Sequence, residues 1–241
     1  MSRFYVRLPG RLFLVAMLAG SALITAYSLG YFDFETLPPF VIERMPEGFA
    51  ALWLASLRVH VAAALLSFPL CLVLTTRALQ RRAAWHRWLG RMSGVLVLFA
   101  LVPSGIVLAL HAKGGGVVTA GFLLSAAIVA WAMVRGILSA RCGDLLSHRR
   151  AMRHVVGQMS VAVVSRAMLL GLDAVGIDPD VAYVVALWGP VLASAAIVEL
   201  VSLRSIRSAV PLTEGTRSAF YPLALLVRVR SLARPLVRLG R

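Results

Sequence analysis

The chain has 241 residues, 60% of them hydrophobic and only 15% charged, with a mean hydropathy of +0.84. Soluble domains carry about a quarter charged residues, and a chain of this length has no interior large enough for so much apolar surface, so its solvent is lipid. The formal net charge of +15 would suggest a nucleic-acid partner in a soluble chain; here the arginines stand in short runs between apolar stretches, which the positive-inside rule explains, and nucleic acid is set aside.

Six apolar stretches approach or reach the ~20 residues that cross a bilayer: Leu12 to Tyr31, Ala50 to Thr76, Met92 to Leu110, Val117 to Leu138, Met152 to Leu172 and Val181 to Leu203. Arg3, Arg7 and Arg11 precede the first, as in a secretory signal, but its apolar run exceeds the about 7 to 15 residues of a signal core, and it reads as an uncleaved anchor. Arg77, Arg81, Arg82, Arg87 and Arg91 lie between the second and third stretches, and Arg141, Arg149, Arg150 and Arg153 between the fourth and fifth. The opposite connections hold Asp33, Glu35, Glu43 and Glu47, then Lys113, then Asp173, Asp178 and Asp180. The alternation predicts an all-α, polytopic bundle of six membrane helices in the inner (cytoplasmic) membrane, with both termini in the cytoplasm. Residues 1–203 form the membrane domain and 204–241 a basic tail. In that tail Arg228, Arg230, Arg234 and Arg238 alternate with leucine and valine, which suits either an anionic leaflet or water. Pro69, Pro103 and Pro190 fall inside spans and predict kinks. Cys71 and Cys142 have no metal or redox spacing and read as free thiols.

His86-Arg87-Trp88-Leu89-Gly90-Arg91 and His148-Arg149-Arg150-Ala151-Met152-Arg153 share the pattern His-Arg-x-x-x-Arg, each after a basic loop and at the mouth of an odd-numbered span. The simplest account is a duplicated helix hairpin that sets two histidines at one cytoplasmic depth.

Ionisable residues inside the spans are functional candidates, because a charge at the bilayer centre costs ~2.5 to 3.5 kcal/mol on the insertion scale. They are Arg58 and His60 on the second span, His154 and Arg166 on the fifth and Glu199 on the sixth. His60 begins a face of small residues, Ala64, Ser67 and Cys71, that lets another helix or a ligand approach. His154, Gln158, Ala162 and Arg166 follow at four-residue steps as a slowly winding polar stripe, expected to face the bundle interior. Glu199 stands near the depth of His154 and Gln158, where a pairing is expected. Arg58, His154, Gln158, Arg166 and Glu199 are thus the expected buried polar set. His111, beside Lys113 and Gly114 to Gly116, reads as an interfacial loop residue.

The segment His86 to Arg91, the pairs Gly115-Gly116 and Gly121-Phe122, the run Gly143-Asp144 leading to His148-Arg149-Arg150 and Met152, and finally Arg166 together resemble the bacterial predicted membrane proteins of domain of unknown function family 2306. The resemblance runs from about Arg58 to Arg166 and implies that His60, His86, His148 and Arg166 occupy recurring polar positions of the family, whereas His111 and His154 are peculiar to this chain. Ala151 stands where the family usually has an aromatic residue. The family has no settled activity to carry over.

Three functions fit. In the first, the protein is a membrane electron carrier with haem b, whose iron takes His86 and His148, or His60, as axial ligands while Arg87 and Arg149 hold the propionates or lipid headgroups. In the second, a small transporter or lipid-handling protein uses the polar residues as a path and works as an oligomer. In the third, a non-catalytic subunit or assembly factor beside other membrane subunits has buried charges that only specify packing. No phosphate loop, His-Glu-x-x-His spacing or Gly-x-Ser-x-Gly elbow is present, so hydrolase or kinase chemistry of the soluble type is not expected. The partners expected are the bilayer and anionic headgroups. Reporter fusions after Glu43 and after Asp178 are predicted to report the exterior, and fusions after Arg82 and at Arg241 the cytoplasm; two reversed signals would defeat this topology.

Overall fold

The computed structural model describes residues 8–209 other than Phe34; Arg3, Arg7 and the arginines of the basic tail from 210 to 241 lie outside the described residues. Among the described residues every regular element is helical, and six helices are long and apolar enough to cross a membrane. They are α1 (Leu8–Ser28, closed by a tight turn Leu29–Phe32), α2 (Ala50–Leu74), α3 (Ala83–Leu110), α4 (Gly115–Arg141), α5 (Leu145–Ala174) and α6 (Pro179–Ala209). Short helices at Pro39–Arg44 and Arg77–Gln80 fill two connections. Helices α3 and α5 begin well before the apolar stretches Met92 to Leu110 and Met152 to Leu172, because a helix continues through polar residues at an interface as long as nothing breaks its hydrogen bonding. His86 and His148 therefore stand within helices, each the fourth residue of its own, and not in the loops before them.

Helices α2, α3, α4 and α5 pack in a ring, each against the next and α5 back against α2. Short connections make successive helices antiparallel, as in an up-and-down bundle. Helix α1 lies along α2 and α5, and α6 along α4 and α5. Five helices converge on one core, where Met17, Phe68, Cys71, Leu72, Val97, Ala132, Met133, Val155 and Met159 pack together. Because lipid is as apolar as leucine, such helices associate by close packing more than by the hydrophobic effect. The glycines at the seams show how. Gly121 of α4 faces Leu187 and Trp188 of α6, and Gly136 of α4 faces Met152 of α5. Large apolar side chains such as Phe99 (77% exposed) and Leu23 (74% exposed) point away from the bundle, as lipid requires.

Pro103 has the clearest local effect. It lacks an N–H to give the carbonyl four residues back, and Leu96–Leu101 of α3 adopts a π-helical turn in which the Val102 N–H reaches the Val97 carbonyl. The Leu101 carbonyl, at the end of this stretch, accepts a hydrogen bond from His60 Nδ1 on α2 at 3.0 Å. Ser104 Oγ satisfies the Ala100 carbonyl. The segment around Pro103 is thus also where α2 is joined to α3, through His60 and the Leu101 carbonyl.

A Cβ at Gly121 would come within 2.8 Å of Leu187. Gly121→Val is predicted to separate α4 from α6 and to cost about 1–3 kcal/mol, read as a lower unfolding midpoint in detergent, while Gly10→Val, whose Cβ meets nothing within 4 Å, leaves it unchanged.

Candidate functional site

The bundle mouth at the arginine-loop end is built by the starts of α3 and α5. Gly143 turns the chain between α4 and α5 with φ +76, a conformation open to glycine. Asp144 then caps α5, its side chain accepting the Ser147 N–H at 3.0 Å; bonds from Ser147 hold its carboxyl below the ordinary range. One turn on, His148 Nδ1 lies 2.9 Å from the Gly136 carbonyl. A carbonyl only accepts, so the proton sits on Nδ1 and the lone pair on Nε2. His86 stands at the matching place on α3, its backbone N–H on the Arg82 carbonyl as that of His148 is on Asp144. Its Nδ1 is buried without a hydrogen-bond partner among the described residues. Helices α3 and α5 occupy opposite corners of the ring, and their two imidazoles lie within electrostatic reach of each other. Gly90, four residues beyond His86 on the same face, has open space where a side chain would stand. Arg87 and Arg149 are exposed beside the pair.

A second constellation lies deeper on α5. Glu199 of α6 accepts from His154 Nε2 at 2.8 Å, from Arg150 Nε at 3.2 Å and also from Arg150 Nη2. The expected pairing of Glu199 with His154 is present. Arg150 joins it because it precedes His154 by four residues, one helical turn on the same face. His154 is buried while the side chains of Arg150 and Glu199 are 36% and 40% exposed, so Glu199 is half-buried rather than buried. The Nδ1 of His154 has no partner, and its ring meets Trp131 edge-on, centroids 6.4 Å apart. Gln158, fully inside, donates to the Val191 carbonyl at 3.0 Å and Ser194 Oγ at 2.9 Å and accepts from Ser125 Oγ at 2.9 Å. It ties α4, α5 and α6 together.

Arg166 does not join them. It is exposed, and its guanidinium bonds the Ala162 carbonyl of its own helix at 2.8 Å. Steps of four residues advance ~40° past a full turn, so three steps carry Arg166 ~120° around α5 from His154, off the α4–α6 side and toward α1. The expectation of an interior Arg166 is corrected accordingly. Arg58 is half-buried, its Nε on the Tyr31 carbonyl and Nη2 on the Asp33 carbonyl, both at 2.9 Å, which closes the end of α1 onto α2. His111 ends α3, donating from Nδ1 to the Val107 carbonyl at 3.0 Å beside the Phe49 ring. His60 contacts the ring through Leu101 and far from His86. Among the described residues no group of three or more His, Cys, Asp or Glu side chains is placed to hold a metal ion.

The family model described as a predicted membrane protein, DUF2306, matches residues 57–202, which extends the resemblance beyond Arg166 through α6. No curated protein and no solved structure matches the chain.

Gln158→Leu is predicted to lower stability by about 0.6–1.7 kcal/mol, the range of interhelical hydrogen bonds in membranes, and Ser125→Ala, which removes one of the three bonds, by less. Equal unfolding midpoints for Gln158→Leu and the native chain would remove Gln158 from the account.

Proposed function

Since the chain belongs to the DUF2306 family of predicted membrane proteins, whose name carries no activity, we propose from its own residues that it is an electron carrier of the inner membrane holding haem b between His86 and His148. The observation that carries the reading is the state of the two imidazoles. His148 Nδ1 lies on a backbone carbonyl, which in the neutral ring leaves Nε2 as the nitrogen that would hold the iron. His86 presents a buried nitrogen with no partner, a cost of about 1–3 kcal/mol that a ligand would remove. The space beside Gly90 leaves room for a flat group against α3. Arg87 and Arg149 are placed to pair with propionates or, equally, with anionic headgroups at the cytoplasmic surface. The haem, when bound, would supply one-electron chemistry; the chain would supply the two imidazoles that hold and orient it.

A second reading, transport of a small molecule or lipid, is favoured by one observation: Glu199 opens toward the surface while His154 and Arg150 hold its charge within the span. In that reading Glu199→Gln abolishes uptake by proteoliposomes and leaves any haem spectrum intact.

Protein produced with ample haem is predicted to show a low-spin spectrum that His86→Ala and His148→Ala each eliminate and His111→Ala leaves unchanged. Well-folded native protein without haem, or haem that survives both single variants, would defeat the assignment.

A further inference from the structure

Only residues 142–144 connect α4 to α5, and this short turn is tied at both sides. The Asp144 N–H bonds the Ser139 carbonyl of α4, and the Asp144 carbonyl takes the His148 N–H of α5. The backbone of His148 is therefore fixed, and what remains to be set is the direction of its ring. That direction is given by the Gly136 carbonyl, 2.9 Å from Nδ1. Gly136 lies in the body of α4, five residues before its end at Arg141, and not in the last turn, where carbonyls lack intrahelical partners. A carbonyl in the body of a helix has one lone pair on the N–H four residues on and offers only the second. A side chain of a neighbouring helix reaches it where the two backbones lie close together.

The missing side chain at Gly136 allows that approach. Ala151 and Met152 stand three and four residues beyond His148, on the same face of α5, and both pack onto Gly136. A Cβ there would overlap the end of the Met152 side chain and stand 3.4 Å from the Ala151 Cβ. Gly136 and Ala151 are buried. One contact between the helices therefore has two consequences: it seats Met152, and one turn earlier it brings the imidazole to the carbonyl.

We infer that Gly136 is the positioning residue of His148: by letting α5 lie against α4 it gives the ring a backbone acceptor, holds the proton on Nδ1 and makes Nε2 the basic nitrogen. Without that carbonyl a neutral imidazole can carry its proton on either nitrogen. The role this gives Nε2 as a ligand rests on the haem reading above; the fixed tautomer does not, and it is measured on the protein without haem.

The test is nitrogen NMR of the full chain, labelled at histidine, in a neutral detergent at about pH 9, above the ordinary histidine range. The His148 signals are those missing from His148→Ala. In the native protein they are expected to show one tautomer, with Nδ1 protonated and Nε2 bare. Gly136→Leu should convert them to an average of both tautomers or move the proton to Nε2. Gly116→Leu, on the same helix where a Cβ meets nothing within 4 Å, should leave them unchanged. Gly136→Ala combined with Met152→Ala, which removes the overlap, should keep the native tautomer. Native His148 protonated on Nε2, or exchanging between tautomers, overturns the inference. So does a Gly136→Leu protein whose unfolding midpoint falls while its His148 signals stay native, because Gly136 would then act through packing alone. Should Gly136→Leu not fold, Gly136→Ala decides: altered His148 signals that adding Met152→Ala restores support the inference, and unaltered signals overturn it. A haem-binding failure would leave this result standing, and a failure here would leave the haem spectrum to be judged separately.

Discussion

Hydrocarbon offers no hydrogen bonds, so every polar side chain on a membrane helix must find its partner in protein, in a bound molecule or at the surface. Helix α5 meets that constraint three times along its length. Arg150 and His154 converge on Glu199, Gln158 binds side chains or backbone of both α4 and α6, and Arg166 turns to its own Ala162 carbonyl. The first two fix how α6 and α4 dock on α5, because a rotation of either helix would strand a charge or an amide. The arrangement of the remaining helices follows, with α4 leading to α3 and α5 closing the ring onto α2.

The π-helical turn of α3 is the second place where backbone and side chains answer one another. Pro103 removes a donor, the local bonding shifts to a five-residue step, and beside it His60 bonds the Leu101 carbonyl and Ser104 the Ala100 carbonyl. A cation on His60 would have Arg166 as an electrostatic neighbour, whereas a neutral ring with its proton on Nδ1 fits the Leu101 carbonyl. His60 is therefore better suited to joining α2 to α3 than to reaching across the bundle to iron.

Much of this was legible in the residues and some was not, for identifiable reasons. The spans follow from hydropathy, since lipid imposes one requirement on about 20 residues at once. The equivalence of His86 and His148 follows from a repeated pattern after a basic loop. The true starts of α3 and α5 do not, because the first turns of a membrane helix at the interface carry polar residues that hydropathy assigns to the loop. Arg150 was hidden for the same reason: it sits among loop arginines in sequence, and only the helical register shared with His154 turns it toward Glu199. Arg166 is expected inside because it shares the polar stripe of His154 and Gln158, yet the stripe winds ~120° between His154 and Arg166 and carries the guanidinium onto another face. The partner of His60 could not be read at all, since it is a backbone carbonyl on a different helix.

Three buried polar atoms have no partner among the described residues: Ser67 Oγ, His86 Nδ1 and His154 Nδ1. All three belong to the half of the bundle near the arginine loops, ~10 Å from the end of α2, ~5 Å from the start of α3 and ~14 Å from the start of α5 respectively. They are not equivalent. A serine hydroxyl rotates and can turn to the carbonyl of the preceding helical turn, so Ser67 can relieve itself. An imidazole nitrogen cannot move without its ring. The ring of His154 is held by Glu199 through Nε2 and by Trp131 at its edge, so its Nδ1 faces packed protein and can be left as a lone pair, which costs less than a stranded N–H. His86 differs: among the described residues its Nδ1 has no partner, and Gly90, one turn along the same face, has nothing within 4 Å of where a Cβ would stand. A buried imidazole nitrogen that no described residue restrains is what the proposed ligand role of His86 rests on, and it distinguishes His86 from His154, whose other nitrogen is held by Glu199.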